Sequence, residues 1–416
     1  MPNLRNINEE WTSQGRLQVN TFLVNVGRPL INSLVRVMPR GGGSVIEEMF
    51  TDSSGQTPQI DLPAPPPEFS MRPDMPQPFS EYDISVIVDG RIVSTVEGVQ
   101  IFPNKTSFQD IRLTPGAYGT RNIVIQPPVL WGTFPPKVPE EPTKPLPYAS
   151  GFVVLPEPVI PEFIIVHDGV PSDKTAANYW VPFKEYIKNV ASCEIFPTWP
   201  DATLTANILA ILSFTLNRVY TEWYRGQGFD FTITNSTAYD HAFQYGRDIF
   251  DSITAVVDDI FTTFITRPGI RQPLLAQYCD GKRVACPNWM SQWGSMDLGE
   301  QGYMAVDILK YFYGDDIFLM QANKVAGVPQ SFPGTNLQTG STGPNVRMIQ
   351  EQLNAIANNY PAIRKVRVDG VFGAETREAV EMFQQIFRLP PDGIVGFATW
   401  YRISNIYVAV TRMGEL

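Results

Sequence analysis

The chain has 416 residues, enough for two to three domains rather than one core. Apolar residues make up 43% and charged residues only 18%, a globular balance that excludes general disorder. A net charge of −10 excludes a nucleic-acid binder working by phosphate neutralisation, and equally electrostatic docking on anionic lipid.

No segment approaches the roughly 20 consecutive apolar residues of a membrane span. The opening residues, MPNLRNINEEWTSQGRLQV, lack the apolar stretch of a secretory signal. Cys193, Cys279 and Cys286 are too few for a disulfide scaffold, and synthesis in a reducing cytosol is expected.

From Gly15 to about Pro115 the pattern has period two: Leu17, Val19, Thr21 and Leu23 alternate with outward positions, as do Tyr82, Ile84, Val86 and Val88. Turn clusters at 27–29, 40–43 and 51–55 separate the runs, which predicts a small antiparallel β-sandwich. Its order, GRLQVNTF…RPLINSLVRV…TDSSGQTPQIDL, resembles the transthyretin-like accessory module. From Pro127 to Pro161 prolines recur every few residues, which predicts an extended, exposed linker and a place where proteases cut.

From Phe163 to about Ala326 the pattern is α+β. Leu204, Ile208, Ile211, Leu212, Thr215 and Val219 form one apolar stripe in a helix over 203–223. Helices are also expected at 248–263 and 302–313, and strands at 163–168 and 231–234. The stretch SFPGTNLQTGSTGP (331–344) reads as a second, flexible linker.

The last block nearly repeats itself: Asp369-Gly-Val-Phe-Gly-Ala-Glu-Thr376 returns as Asp392-Gly-Ile-Val-Gly-Phe-Ala-Thr399. Each Asp-Gly pair signals a turn into a helix, with Thr376 and Thr399 expected to satisfy first-turn amides. Val346, Ile349, Leu353 and Ile356 form one helical stripe, and Ala379, Val380, Phe383 and Phe387 another. With Gln350, Phe372, Gly373, Gln384, Gly396 and Trp400, this pattern resembles the three-helix peptidoglycan-binding domain of bacterial wall hydrolases. That resemblance implies a peptidoglycan ligand.

In the middle block, FKEYIKNVASCEIFPTWPDATLTANILAILSF and MSQWGSMDLGEQGYMAVDILKYFYG resemble the SpoIID/LytB domain. Glu194 holds the glutamate position, followed by Pro197 and Trp199. The whole order resembles the SleC-type spore cortex-lytic enzymes.

The resemblance implies a lytic transglycosylase acting on cortex peptidoglycan, made without a cofactor as an inactive precursor. A subtilisin-like germination protease would remove the N-terminal region by cutting around Tyr148 to Leu155. The expected place is the cortex/coat boundary of the spore. Glu194 is the catalytic candidate, and Tyr278, Ser291 and Gln292 are candidates for substrate contact. One carboxylic acid suffices for such chemistry, because the 6-hydroxyl of the sugar attacks in place of water.

The chain departs from that family in places. Asn207, Leu212, Ser213 and Phe214 replace its polar helix positions. Ser236 and Ala242 stand where some members carry zinc-binding cysteines around His241, so no metal site is expected. Cys279 and Cys286 leave zinc, a disulfide and free thiols open. Two rival readings are a non-catalytic wall-binding spore protein and a hydrolytic muramidase with Asp201 or Asp240 as second carboxylate.

The expected fold is multidomain. A β-sandwich spans 1–115, a Pro-rich linker 116–160, a SpoIID-like domain 161–328, a flexible linker 329–343, and a three-helix bundle 344–416.

Overall fold

A computed structural model of the chain describes residues 11–23, 28–113, 120–142, 144, 158–324, 333 and 335–411. The expected cleavage segment, 148–155, lies outside the described residues.

The N-terminal part is two sheets on one apolar core that includes Leu17, Val19, Val35, Val37, Tyr82, Ile84 and Val86. In the first sheet Ser13–Leu23 lies between Thr106–Leu113 and Arg28–Pro29 and also pairs with Ile60–Ala64. The second runs Glu47–Phe50, Leu34–Pro39, Ser80–Val88, Arg91–Ile101, Arg121–Val124. The expected all-antiparallel order fails in two places. Ser13–Leu23 runs parallel to Thr106–Leu113, and Arg91–Ile101 parallel to Arg121–Val124. Strands brought together from distant parts of the chain are not bound to hairpin direction.

The sheets also pass the expected boundary at 115. Arg121–Val124 closes one of them, and Ile249–Phe250 from the middle block pairs with Thr106–Leu113 in the other. Phe102 packs on Phe250 and Phe196 with ring centroids 5.1 and 5.7 Å apart. Buried Asp248 accepts hydrogen bonds from Ser107 Oγ (2.8 Å) and the Gln100 amide (3.2 Å). Each buried ring contributes about 2–3 kcal/mol, so the N-terminal sheets and middle block stabilise one another.

The middle block holds α1 (Phe183–Glu194), α2 (Asp201–Tyr220), α3 (Asp251–Ile260), α4 (Gln292–Glu300) and α5 (Ala305–Tyr313). The expected single stripe on α2 is corrected: nearly every residue from Thr203 to Tyr220 is buried, Thr205 excepted. The reason is that α1, α3, α4 and α5 all pack around it. By length and a mean hydropathy of 1.2, α2 would suffice to cross a membrane, against the expectation that no segment qualifies; it is a core helix here. A three-stranded sheet (Asn178–Pro182, Phe163–His167, Ile233–Thr234) flanks it.

The described part of the Pro-rich segment has many exposed residues, Val138 and Glu141 among them, and is nonetheless fastened to the middle block. Its remaining amides find partners on the middle block: Val129 N–H donates to Cys193 O (2.8 Å) and Val138 N–H to Ala238 O (2.6 Å). Leu130 is buried in the middle core, and Glu140 takes both guanidinium nitrogens of Arg218 at 2.6 and 3.0 Å. Proline removes donors, but its carbonyls and the intervening side chains still bind.

The C-terminal bundle comprises α6 (Pro344–Ala357), α7 (Ala374–Ile386) and α8 (Phe397–Thr411) around Ile349, Leu353, Val380, Phe383, Trp400 and Ile403. The end of the second expected linker belongs to it, since Leu337 pairs with Val395 and Thr342 with Val371. Gly373 is the N-cap of α7 and no side chain caps it. Thr376 therefore does not satisfy first-turn amides; its Oγ1 accepts from Gln350 Nε2 at 3.1 Å.

Candidate active site

Glu194 is the last residue of α1, where Pro197 and Pro200 end one helix and start the next. The turn between is pinned by Trp199, whose Nε1 donates to Ser70 O at 2.9 Å and whose ring packs on Trp293. The Glu194 side chain points inward and is 2% exposed. Its Oε1 accepts from the Ala242 amide (2.8 Å) and its Oε2 from Gln292 Nε2 (3.2 Å). The Tyr278 hydroxyl is also in hydrogen-bonding reach.

Burial pushes the Glu194 carboxyl above its ordinary value, while Lys137, Ala242, Gln292 and Tyr278 pull the other way. The C-terminal end of a helix likewise disfavours a negative charge. Glu194 is thus a buried acid set up to hold a proton at higher pH than an exposed glutamate.

Of the expected contact residues, Tyr278 and Gln292 meet Glu194. Ser291 does not: its Oγ caps α4, accepting from the Gly294 amide at 2.9 Å. Asp201 is exposed at the start of α2. Asp240 is saturated by Arg218 Nε, the Tyr224 hydroxyl, and the Thr234 amide and hydroxyl. Neither supplies a second free carboxylate beside Glu194.

Three further contributors are not expected at this site from the sequence, although His241 stands out there as part of a lost zinc pattern. His241 is fully buried, with Nδ1 3.2 Å from the Tyr278 hydroxyl and Nε2 unpartnered. Burial holds it well below the usual histidine range, with Lys137 and Arg218 adding to the effect. Half-buried Lys137 donates to Asp240 O at 2.6 Å and lies over the Tyr278 ring at 4.5 Å. The third is the Ala242 amide, at a position where sequence reading registers only a missing cysteine.

A cavity of about 190 Å³ lies at this point, walled by Phe134, Lys137, Glu194, Tyr278, Asp280 and Gln292. Asp280 is engaged by the amides of Lys282, Arg283 and Val284 at 2.9–3.1 Å. Its loop is closed by a Cys279–Cys286 disulfide. Among the described residues no group of three or more His, Cys, Asp or Glu side chains can hold a metal ion. Cys193 is buried, and burial raises its thiol pKa, the reverse of an activated nucleophile. A larger open groove of about 630 Å³ shares Phe134 and Thr237 with the cavity and runs past Arg121, Asp168 and the stacked Tyr179–Tyr245 pair.

Residues 342–403 match a family model described as "Putative peptidoglycan binding domain". The C-terminal bundle is a peptidoglycan-binding domain of that family. No curated protein matches the chain. Among solved structures, the SleB N-terminal domain is 32% identical over 18% of this chain and 99% of its own, with a TM-score of 0.17. The minor pilin GBS52 of Streptococcus agalactiae is 18% identical over 32% of this chain and 49% of its own, with a TM-score of 0.19. The major pilin subunit BcpA of Bacillus cereus is 11% identical over 27% of this chain and 28% of its own, with a TM-score of 0.14. The chain therefore spans half or less of either pilin, and scores this low carry no argument about the fold.

Proposed function

We propose that the chain is a spore cortex-lytic enzyme: a lytic transglycosylase that binds peptidoglycan through its C-terminal bundle and cleaves it at Glu194. Protonated Glu194 gives its proton to the oxygen linking MurNAc to GlcNAc, and the bond from that oxygen to the anomeric carbon breaks. The MurNAc 6-hydroxyl bonds to the anomeric carbon, and its proton returns to Glu194. The product ends in 1,6-anhydro-MurNAc, no water is consumed, and the enzyme regains its starting state.

One observation carries this reading: Glu194 is a buried carboxyl whose burial favours its protonated form, and among the described residues the other carboxylate lining its cavity, Asp280, is engaged by three backbone amides. A hydrolase of the usual kind needs two. The adjoining groove, with its tyrosine pair and Arg121, suits flanking sugars and the carboxylates of their peptides. The setting is the cortex/coat boundary of the spore. The chain is made inactive and cut around Tyr148 to Leu155 by a subtilisin-like germination protease.

Glu194→Gln, compared with the unsubstituted chain after activation, tests the assignment. It should lower release of soluble fragments from purified cortex by about 10²- to 10⁴-fold, with binding to cortex unchanged. Full release by the variant would refute it. The 2% exposure of Glu194 favours a second reading, a wall-binding spore protein with no activity. Fragment release by any form of the chain excludes that reading.

A further inference from the structure

The Glu194 cavity is roofed by the protein's own chain. Residues 129–142, with Lys144, cross its mouth and are fastened on both sides. On the near side Val129 N–H donates to Cys193 O, and Arg283 donates to Gly132 O. On the far side Lys137 and Val138 bond to Asp240 O and Ala238 O. Gln277 brackets the next turn, donating to Val138 O and accepting from the Glu140 amide, both at 3.2 Å. Glu140 then clasps Arg218, and Lys144 N–H donates to Gln272 Oε1 at 2.8 Å. Phe134 stands in the wall shared by cavity and groove, and Lys137 sets its ammonium towards Glu194.

Resting on the reading of Glu194 as the catalytic acid, we propose that residues 129–142, with Lys144, are an autoinhibitory strap that a cut around Tyr148 to Leu155 does not release. A sugar chain cannot reach Glu194 while Phe134 and Lys137 occupy the entrance. Every fastening named above lies N-terminal to the expected cut, so cutting the chain leaves all of them in place. The strap's own N-terminal side is anchored too, through Arg121–Val124 in the second sheet and through the aromatic core shared with Phe102. The N-terminal fragment therefore stays bound after processing, and opening the strap is a separate step. The positive charge of Lys137 also stabilises ionised Glu194, the form that cannot act as an acid. Strap removal withdraws that charge and joins the cavity to the groove.

The test uses the full chain with a site-specific protease sequence placed between Tyr148 and Leu155. Fragment release from purified cortex is measured before and after cutting, beside amide hydrogen exchange at Val129 and Glu140, whose N–H groups bond to Cys193 O and Gln277 Oε1. A second form adds Lys137→Ala and Val138→Pro, which loosen the strap and leave the Arg218–Asp240 pair intact. Arg283→Ala, which loses only the bond to Gly132, serves as a milder variant.

The cut chain should keep its N-terminal fragment on gel filtration and keep both amides protected. It should release fragments at least about tenfold more slowly than the cut double variant, in proportion to the open fraction. Arg283→Ala should fall between. Equal release by both cut forms with both amides still protected would overturn the strap and leave the catalytic reading standing. Exposed amides in the double variant with no fragments would overturn the catalytic reading, and the strap with it.

Discussion

Gln292, Gln350 and Gln384 are equally buried, each 1% exposed, and they do different things. Gln350 and Gln384 sit in the bundle. Gln350 Nε2 donates to Asp369, Val371 O and Thr376, and its Oε1 accepts from the amides of Asp369 and Gly370. Gln384 repeats this at the second turn, donating to Asp392, Ile394 O and Thr399 and accepting from the Gly393 amide. Gln292, beside Glu194, donates only to the carbonyl and carboxylate of that one residue, and its Oε1 has no partner. A buried amide with every bond made is a staple. One left short, next to an unpartnered His241 Nε2 and a buried acid, marks a place built to meet something else.

Breaking the comparison from its structural side should give the largest stability effect. Gln384→Ala removes four hydrogen bonds, two of them to buried Gly393 and Thr399, and should cost about 3 kcal/mol. In a domain this small that lowers its melting transition by about 15 °C, read by calorimetry of the full chain. An unchanged transition would mean the turns hold without their staple. Gln292→Ala should cost about 1 kcal/mol and yet lower fragment release by about tenfold, through the position and proton affinity of Glu194. If it instead melts the middle block and spares activity, the two glutamines are of one kind.

Glu194 itself supplies a pH test. Its carboxyl is raised by burial, so the native protein binds this proton more tightly than the unfolded chain. Wild-type stability is then lost as pH rises from the ordinary carboxylate range through the raised value. Glu194→Gln cannot ionise and escapes that loss. It should melt higher than wild type by about 2–4 °C near about pH 8 and no higher below about pH 4. A constant difference across that range would show that burial does not perturb Glu194. A last check concerns Cys279 and Cys286. Reducing their disulfide, which closes a short loop, should cost about 2 kcal/mol or less, checked as a melting shift. A larger loss would make that loop part of the domain's core.

The helices of the bundle and the doubled turn were legible in the sequence, because both are local: apolar spacing fixes each helix face, and Asp-Gly fixes each turn. The device that fastens the turns was not, since Gln350 reaches Asp369 and Thr376 across the fold. Thr376 was expected to cap a helix and instead accepts from that glutamine. At the Glu194 site the flanking Pro197 and Trp199 pointed to the residue, and Tyr278 and Gln292 do meet it. Ser291 shared their motif but faces its own helix. Lys137 had no signal at all. Its bond to Asp240 O spans 103 residues, and prolines around it read as a spacer. Periodicity reports what one element does with its own faces; it is silent on a strand of chain laid across a distant cavity.

The most direct measurement is end-group mass spectrometry of fragments released from purified cortex by the strap-loosened chain, beside the same chain carrying Glu194→Gln. Fragments ending in 1,6-anhydro-MurNAc from the first and none from the second is the predicted result. Fragments ending in reducing MurNAc would contradict it, because water would then be the nucleophile and Glu194 would need a second carboxylate.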